Sequence, residues 1–195
     1  MDNTTPRIDP RVLRTRQLLR NAVIELLEEM DIEKISVNRI AERAQINRVT
    51  FYLHYRDIPD MLEKMADEMV EDIQKVLDNN SKLEENEEWP LLENLLKHIE
   101  ANARFYKIIF TTRQVTVFTD RLFKLQSELI MNRLEGKQSI SGHAESSVQR
   151  EIAIWYGSAA VIGTIVAWLR KDMPYTPQYL AKQITMLRSG LNNQL

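Results

Sequence analysis

Between Asn47 and Arg56 the chain reads Asn-Arg-Val-Thr-Phe-Tyr-Leu-His-Tyr-Arg, a run dense in side chains that hydrogen-bond. Arg48 carries a fork of donors that can grip guanine O6 and N7 together. Val49 and Thr50 can touch a thymine methyl or a nearby phosphate, and Tyr52 and His54 can hydrogen-bond phosphates, which fixes register without reading sequence. A good bidentate contact discriminates between bases by about 1–3 kcal/mol, so Arg48 is the leading specificity residue. This is the chemistry of recognition. Bond-making chemistry has weaker support. His54, His98 and His143 are far apart, and none stands in a His-Glu-x-x-His spacing. Neither a Gly-rich phosphate loop, a Gly-x-Ser-x-Gly elbow nor an acid–base cluster is present. With no Cys there is no thiolate metal site. The residues imply no metal, no cofactor and no enzyme.

A side chain reads a base only if a scaffold holds it in the groove. Residues 36–56 supply one as two short helices joined by a tight turn. Ser36 is an N-cap, and Val37, Ile40, Ala41 and Ala44 are the inner face of the first helix. Gln45-Ile46 forms the turn and Asn47 caps the second helix. Where the helices cross, small or apolar residues are needed, and Ala41, Ala44, Ile46 and Phe51 meet that need.

Periodicity sets the flanking elements. Residues 1–10 read as a loose arm, followed by an amphipathic helix over Arg11–Met30. Arg11, Arg14, Arg16 and Arg20 crowd its start while Glu25, Glu28, Glu29 and Asp31 follow, an order opposed to the helix dipole. A phosphate backbone outside the helix is one partner that such an Arg cluster could meet. Asp57-Ile58-Pro59-Asp60 breaks and restarts the chain, and a long helix runs from Asp60 to about Leu77. An acidic stretch over 78–88 is a loop, and Trp89-Pro90 opens a helix to about Asn102. Arg104–Thr111 is short and aromatic, Gln114–Leu134 is long, Gly136–Ser147 is a polar loop, and Val148–Arg170 is strongly apolar. After Pro174 and Pro177, with Thr176 as cap, a last helix reaches about Ser189. The expected class is all-α with about nine helices. A three-helix helix-turn-helix domain over 1–60 precedes a larger helical domain over 61–195.

Apolar residues make up 44% of the 195 residues, enough for a real core. The net charge of −2 is unevenly spread: residues 1–56 balance to +2, with nine of ten cations Arg, and residues 57–195 balance to −4. Arg suits planar recognition of phosphates and base edges. The polar N-terminus, with Pro6, Asp9 and Pro10, lacks a signal segment, and the missing Cys fit a cytoplasmic protein. Ile152–Leu169 reaches the minimum length of a membrane span. Trp155, Tyr156, Gly157 and Ser158 dilute it and Arg170-Lys171-Asp172 ends it, so it reads as a buried interface helix, with no membrane partner.

The stretch from Thr15 to Leu62 resembles the tetracycline-repressor (TetR) family of transcriptional regulators. The likeness rests on Leu26-Leu27, Ile35-Ser36-Val37, Ile40-Ala41, Ala44, the run from Asn47 to Tyr55, and Asp60-Met61-Leu62. The resemblance implies that Ser36 and Asn38 lie at the DNA-facing start of the second helix. It implies that Asn47, Arg48, Val49, Thr50 and Leu53 face the groove and that Tyr52 and His54 meet the backbone. Two positions depart from the family pattern. Gln45 replaces the usual turn Gly, which asks for a conformation that a Cβ tolerates or for modest strain. Ile58 replaces the usual Lys after the recognition helix, and Arg56 is the candidate to restore that phosphate contact.

The resemblance further implies a homodimer on a pseudo-palindromic double-stranded operator, built by the last two helices, and repression relieved by a small-molecule effector. Tyr156, Ala160, Gly163, Ala167, Leu180, Ile184 and Leu187 are the candidate dimer contacts. Trp89, Phe105, Tyr106, Phe110, Phe118, Phe123, Met131 and Trp155 are the material for an effector pocket, most of it plain core. Without a charge cluster, an apolar or amphipathic effector is expected. Binding would shift the Asp60–Leu77 helix and alter the spacing of the two reading heads. The alternative is a co-regulator or activator of the same family controlled by a partner protein.

Overall fold

A computed structural model describes residues 9–78, 88–111, 116–138 and 149–192. These form nine α-helices and one 3-10 turn, with no strand among the described residues. The helices are α1 (Pro10–Glu29), α2 (Val37–Arg43), α3 (Arg48–Tyr52), α4 (Ile58–Asp78), α5 (Glu88–Ala101), α6 (Ala103–Thr111), α7 (Thr116–Gln138), α8 (Arg150–Arg170) and α9 (Pro177–Asn192). The chain divides into two compact units, Met1–Met65 and Ala66–Leu195.

In the first unit α2 packs on both α1 and α3. Leu19, Ala22, Val23, Leu26 and Leu27 of α1 are buried with Ile40 and Ala41 of α2, Ala44 and Phe51, the apolar set expected from periodicity. Asp9 accepts from the Arg11 amide and caps α1, with Pro10 in its first turn. Glu25 and Glu29, which oppose the α1 dipole, find their partner outside the helix. Arg43 grips the Glu29 carboxylate with both terminal nitrogens at 2.8 and 2.7 Å and reaches Glu25 at 3.4 Å. That hydrogen bond holds the Glu29 carboxyl below the usual range. An unanticipated 3-10 turn (Ile32–Lys34) carries the chain to Ser36.

In the second unit α5 packs on α9, α7 on α8, and α6 on α8. Ile99, Tyr106, Ile109, Phe118, Ile165 and Trp168 belong to its core. α8 ends in a Schellman turn with Asp172 and Met173 in the left-handed region. Lys107 of α6 pairs with Asp172, and Trp168 Nε1 donates to the Tyr175 carbonyl at 2.8 Å.

Several boundaries differ from expectation: α8 starts at Arg150 in place of Val148, and α9 runs to Asn192 in place of Ser189. α7 continues through Gly136 to Gln138, because one Gly costs a helix only about 1 kcal/mol. α4 begins at Ile58, because Pro59 fits a first helical turn and Asp57 accepts from the Asp60 amide at 2.8 Å. The arm 1–8, most of the acidic stretch (79–87), Gln114 and His143 lie outside the described residues.

Candidate nucleic-acid interface

α3 is only five residues long, so its ends decide its geometry. At its start, Asn47 Oδ1 accepts from the Val49 amide at 2.8 Å. At the start of α2, Ser36 Oγ accepts from the Arg39 amide at 3.3 Å. Both oxygens therefore act as caps, and the Asn47 amide NH2 and the Ser36 hydroxyl hydrogen remain as donors. At the other end, Lys64 of α4 donates to the His54 carbonyl at 3.1 Å and to Asp60 at 3.0 Å. Asp60, itself buried, also accepts from the Arg56 amide and from Arg56 Nε, and these contacts hold its carboxyl below its ordinary range. Arg56 is thus anchored by Nε while its side chain stays 80% exposed.

The turn between α2 and α3 is a Schellman motif. The Ile46 amide donates to the Ala41 carbonyl and the Gln45 amide to the Glu42 carbonyl, both at 3.0 Å. Gln45 sits at φ 55, in the left-handed region. The missing Gly is accommodated by strain: a residue with a Cβ costs roughly 1–2 kcal/mol there. Gln45→Gly relieves that strain and loses part of the gain to the greater freedom of the unfolded chain. A net stabilisation of about 1 kcal/mol is expected, read as a higher Tm; an unchanged or lower Tm refutes strain at this turn.

Phe51 is fully buried, and its ring anchors α3 by an edge contact with Tyr52 and a tilted contact with Tyr55. The opposite face presents Arg48, Val49, Tyr52 and Leu53 to solvent, with Thr50 half-buried beside them. Val49 is 66% and Leu53 76% exposed, unusual for aliphatic side chains on a short packed helix. Asn38 is exposed on α2, and His54 is half-buried at the end of α3.

One residue stands out that sequence reasoning did not single out. Arg16 of α1 was only one of four cations at that helix start. Its Nε is buried without a hydrogen-bond partner, and its charge acts on His54 together with that of Lys64. Burial first, then these two cations, push the His54 pKa below its ordinary value. The unfolded chain therefore takes up a proton near pH 6.5 that the folded chain still refuses, so stability falls as pH drops through 6.5 toward the lowered folded value. His54→Gln should flatten that part of the Tm–pH profile between pH 7.5 and 5.5; an equal loss in both proteins assigns it to other groups.

The C-terminal candidates separate into three sets. Phe105, Tyr106, Phe110 and Phe118 are buried and pack on one another, with Phe105 edge-on to Tyr106 and Phe118 and Tyr106 stacked on Phe110. His98 Nε2 lies 2.9 Å from the Tyr106 hydroxyl, a polar pair inside this cluster. Phe123, Met131 and Trp155, expected as pocket material, lie at the surface, because each falls on the outward side of its helix. The Trp89 side chain lies outside the described residues. An open groove of about 370 Å³ between α4 and α7 is lined by Asp67, Glu71, Arg121, Lys124 and Glu128 over Val70 and Leu125, and shares no residue with the expected set.

The dimer candidates divide as well. Tyr156, Ala160, Gly163, Ala167 and Leu187 are exposed, with Tyr156 at 62% and Leu187 at 69%. Leu180 and Ile184 are buried within the second unit, where α9 packs on α5. Tyr179, Met186 and Leu187 carry the outward apolar face of α9 instead. By length and composition α8 could cross a membrane, yet Ile154, Ser158, Val161, Ile162, Ile165, Trp168 and Leu169 pack inside the unit.

Comparison with known proteins sets this geometry in a family. The family model for a TetR-type "Transcriptional regulator C-terminal region" matches residues 86–190, more than half of the chain. The curated relative "Uncharacterized HTH-type transcriptional regulator YxbF" of Bacillus subtilis is 24% identical over 178 residues. That match takes in 88% of this chain but only 44% of the relative's length, so the chain spans under half of that protein. Among solved structures, NalD, the secondary repressor of the MexAB-OprM multidrug efflux pump in Pseudomonas aeruginosa, superposes with a TM-score of 0.69. It is 19% identical, over 91% of this chain and 96% of its own. The transcriptional regulator FadR of Bacillus subtilis, solved with stearoyl-CoA, gives a TM-score of 0.66 at 15% identity, over 88% of this chain and 96% of its own. At such identities these two likenesses are of fold. The curated relative is a regulator, the fold is a helix-turn-helix unit followed by a larger helical unit, and the family model matches most of that second unit: the chain belongs to the TetR family of transcriptional regulators.

Proposed function

We propose that the protein works as a homodimer on a pseudo-palindromic DNA operator, represses transcription, and is released by a small apolar or amphipathic effector. It acts by binding, without catalysis, in the cytoplasm. The observation that carries this reading is the outer face of α3. Val49 and Leu53 are left at 66% and 76% exposure beside Arg48 and Tyr52. Apolar side chains so placed on a short helix suit the methyl-lined floor of the major groove, and Arg48 suits guanine. Ser36, Asn38, Asn47 and Thr50 sit where their donors reach the groove edge, and Arg16, Tyr52, His54 and Arg56 supply backbone contacts.

Dimerisation is supported by the outward apolar face of α8 and α9, where Tyr156, Gly163, Met186 and Leu187 lie exposed. Two such heads read half-sites spaced by helical turns. The aromatic cluster around Tyr106 is the proposed effector site, entered by parting the rings, with the Tyr106–His98 pair as its polar handle. A regulator of the same fold solved with stearoyl-CoA supports the amphipathic class. Release follows if the effector favours an arrangement of α4 that spaces the heads wrongly.

The test is selection of bound sequences from random duplex DNA. An inverted repeat is expected, and Arg48→Ala should weaken binding to the selected site about 5- to 150-fold at fixed low salt, with relaxed preference at one guanine per half-site. Parent-like binding by both Arg48→Ala and Tyr52→Ala would end the assignment of α3 to the groove.

A further inference from the structure

Arg48 and Tyr52 lie one turn apart on the exposed face of α3, and their side chains are joined. Arg48 Nη2 donates to the Tyr52 hydroxyl at 3.1 Å, and the guanidinium carbon lies 5.5 Å from the centre of the Tyr52 ring. The Tyr52 ring is in turn set edge-on, at 5.5 Å between centres, against Phe51, which is fully buried. The core thus fixes Phe51, Phe51 steers Tyr52, and Tyr52 holds a long side chain that would otherwise sample many rotamers. The hydroxyl accepts from Arg48 through a lone pair, so its own hydrogen stays available to donate. The guanidinium spends one of its five N–H donors on this bond, and the rest can still make a two-point grip.

We propose that Tyr52 is a positioning residue for base recognition: its ring and hydroxyl aim the Arg48 guanidinium at guanine while its free O–H donates to a DNA phosphate. One hydroxyl then links docking on the backbone to reading of the base. The proposal rests on the reading of α3 as the groove helix. It separates two roles for Tyr52 that a plain affinity measurement merges. A phosphate contact alone weakens all duplexes equally, whereas a positioning contact erodes the preference for one base pair.

The experiment is a double-mutant cycle on the full chain. The parent, Tyr52→Phe, Arg48→Ala and the double variant are titrated at one salt concentration. The probes are the selected operator and a copy with the preferred G·C pair changed to A·T. Tyr52→Phe keeps the ring and removes only the hydroxyl, and both positions are exposed, so melting curves close to the parent's are expected. Tyr52→Phe should reduce the G·C over A·T preference about fivefold, and should change it no further when Arg48→Ala is already present. An equal loss of affinity for both duplexes, with the preference intact, overturns the positioning role and leaves the groove reading standing. No change of preference on Arg48→Ala itself overturns both.

Discussion

Gly163→Arg is expected to yield a folded monomer whose operator affinity is at least about a hundredfold weaker than the parent's. Gly163 lies inside the 21-residue α8, where Gly is about 1 kcal/mol worse than Ala. Nothing within the subunit calls for it: a Cβ added there meets no atom within 4 Å. Its backbone is ordinary helix, so no left-handed conformation requires it either. The proposed dimer supplies a reason, an approach from outside. Ile152, Tyr156, Ala159, Ala160 and Ala167 share that exposed side of α8, and Met186 and Leu187 are exposed on α9. An apolar surface of this kind is what the proposed dimer would cover. A buried Arg at its centre is an unpaired charge, which two surfaces in contact tolerate poorly. Gly163→Ala provides the graded case: the isolated helix gains about 1 kcal/mol of propensity while the pairing loses its closest approach. Sedimentation at several concentrations reads both. A Gly163→Arg protein that still sediments as a dimer removes α8 from the interface.

Phe51→Ala should cost about 3–5 kcal/mol and unfold most of the first unit. The ring is fully buried, touching Tyr52 within α3 and Tyr55 just beyond it. The unit ends at Met65, and a domain of that size commands only a few kcal/mol of stability. Loss of all detectable operator binding should accompany a partial loss of helical circular dichroism, with a residual melt from the second unit. Tyr52→Ala, one residue along and exposed, should weaken DNA binding with little change in Tm. If Phe51→Ala melts like the parent, Phe51 does not hold α3 in place.

The first unit could be read closely from its residues, because its determinants are local. Asn47 and Ser36 cap by bonds that span two or three residues, and Ala41, Ala44 and Phe51 declare the helix crossing by size alone. What escaped there was non-local: Glu29 looked misplaced until Arg43, fourteen residues on, closed on it. Arg16 shows its buried Nε only once α1 is folded. The second unit was harder. An apolar residue on a helix states that it is to be covered, and is silent on whether its own subunit or another molecule does so. Leu180 and Ile184 turned inward while Met186 and Leu187 stayed outside, and Trp155, Phe123 and Met131 fell on outward faces. The expected pocket aromatics Phe105, Tyr106, Phe110 and Phe118 do come together, packed on one another in a filled cluster.

The two indoles of α8 sit in opposed surroundings. Trp168 is buried with its N–H tied to the Tyr175 carbonyl, and Trp155 is 53% open to water three to four turns earlier in the same helix. Excited together, the pair is a built-in optical gauge: the sheltered ring emits to the blue whatever the protein concentration, and the wet ring to the red. With the third indole removed as Trp89→Phe, covering of the α8 surface should therefore be visible as a dilution-dependent colour shift, silenced by adding Trp155→Phe and kept when Trp168 is changed in its place.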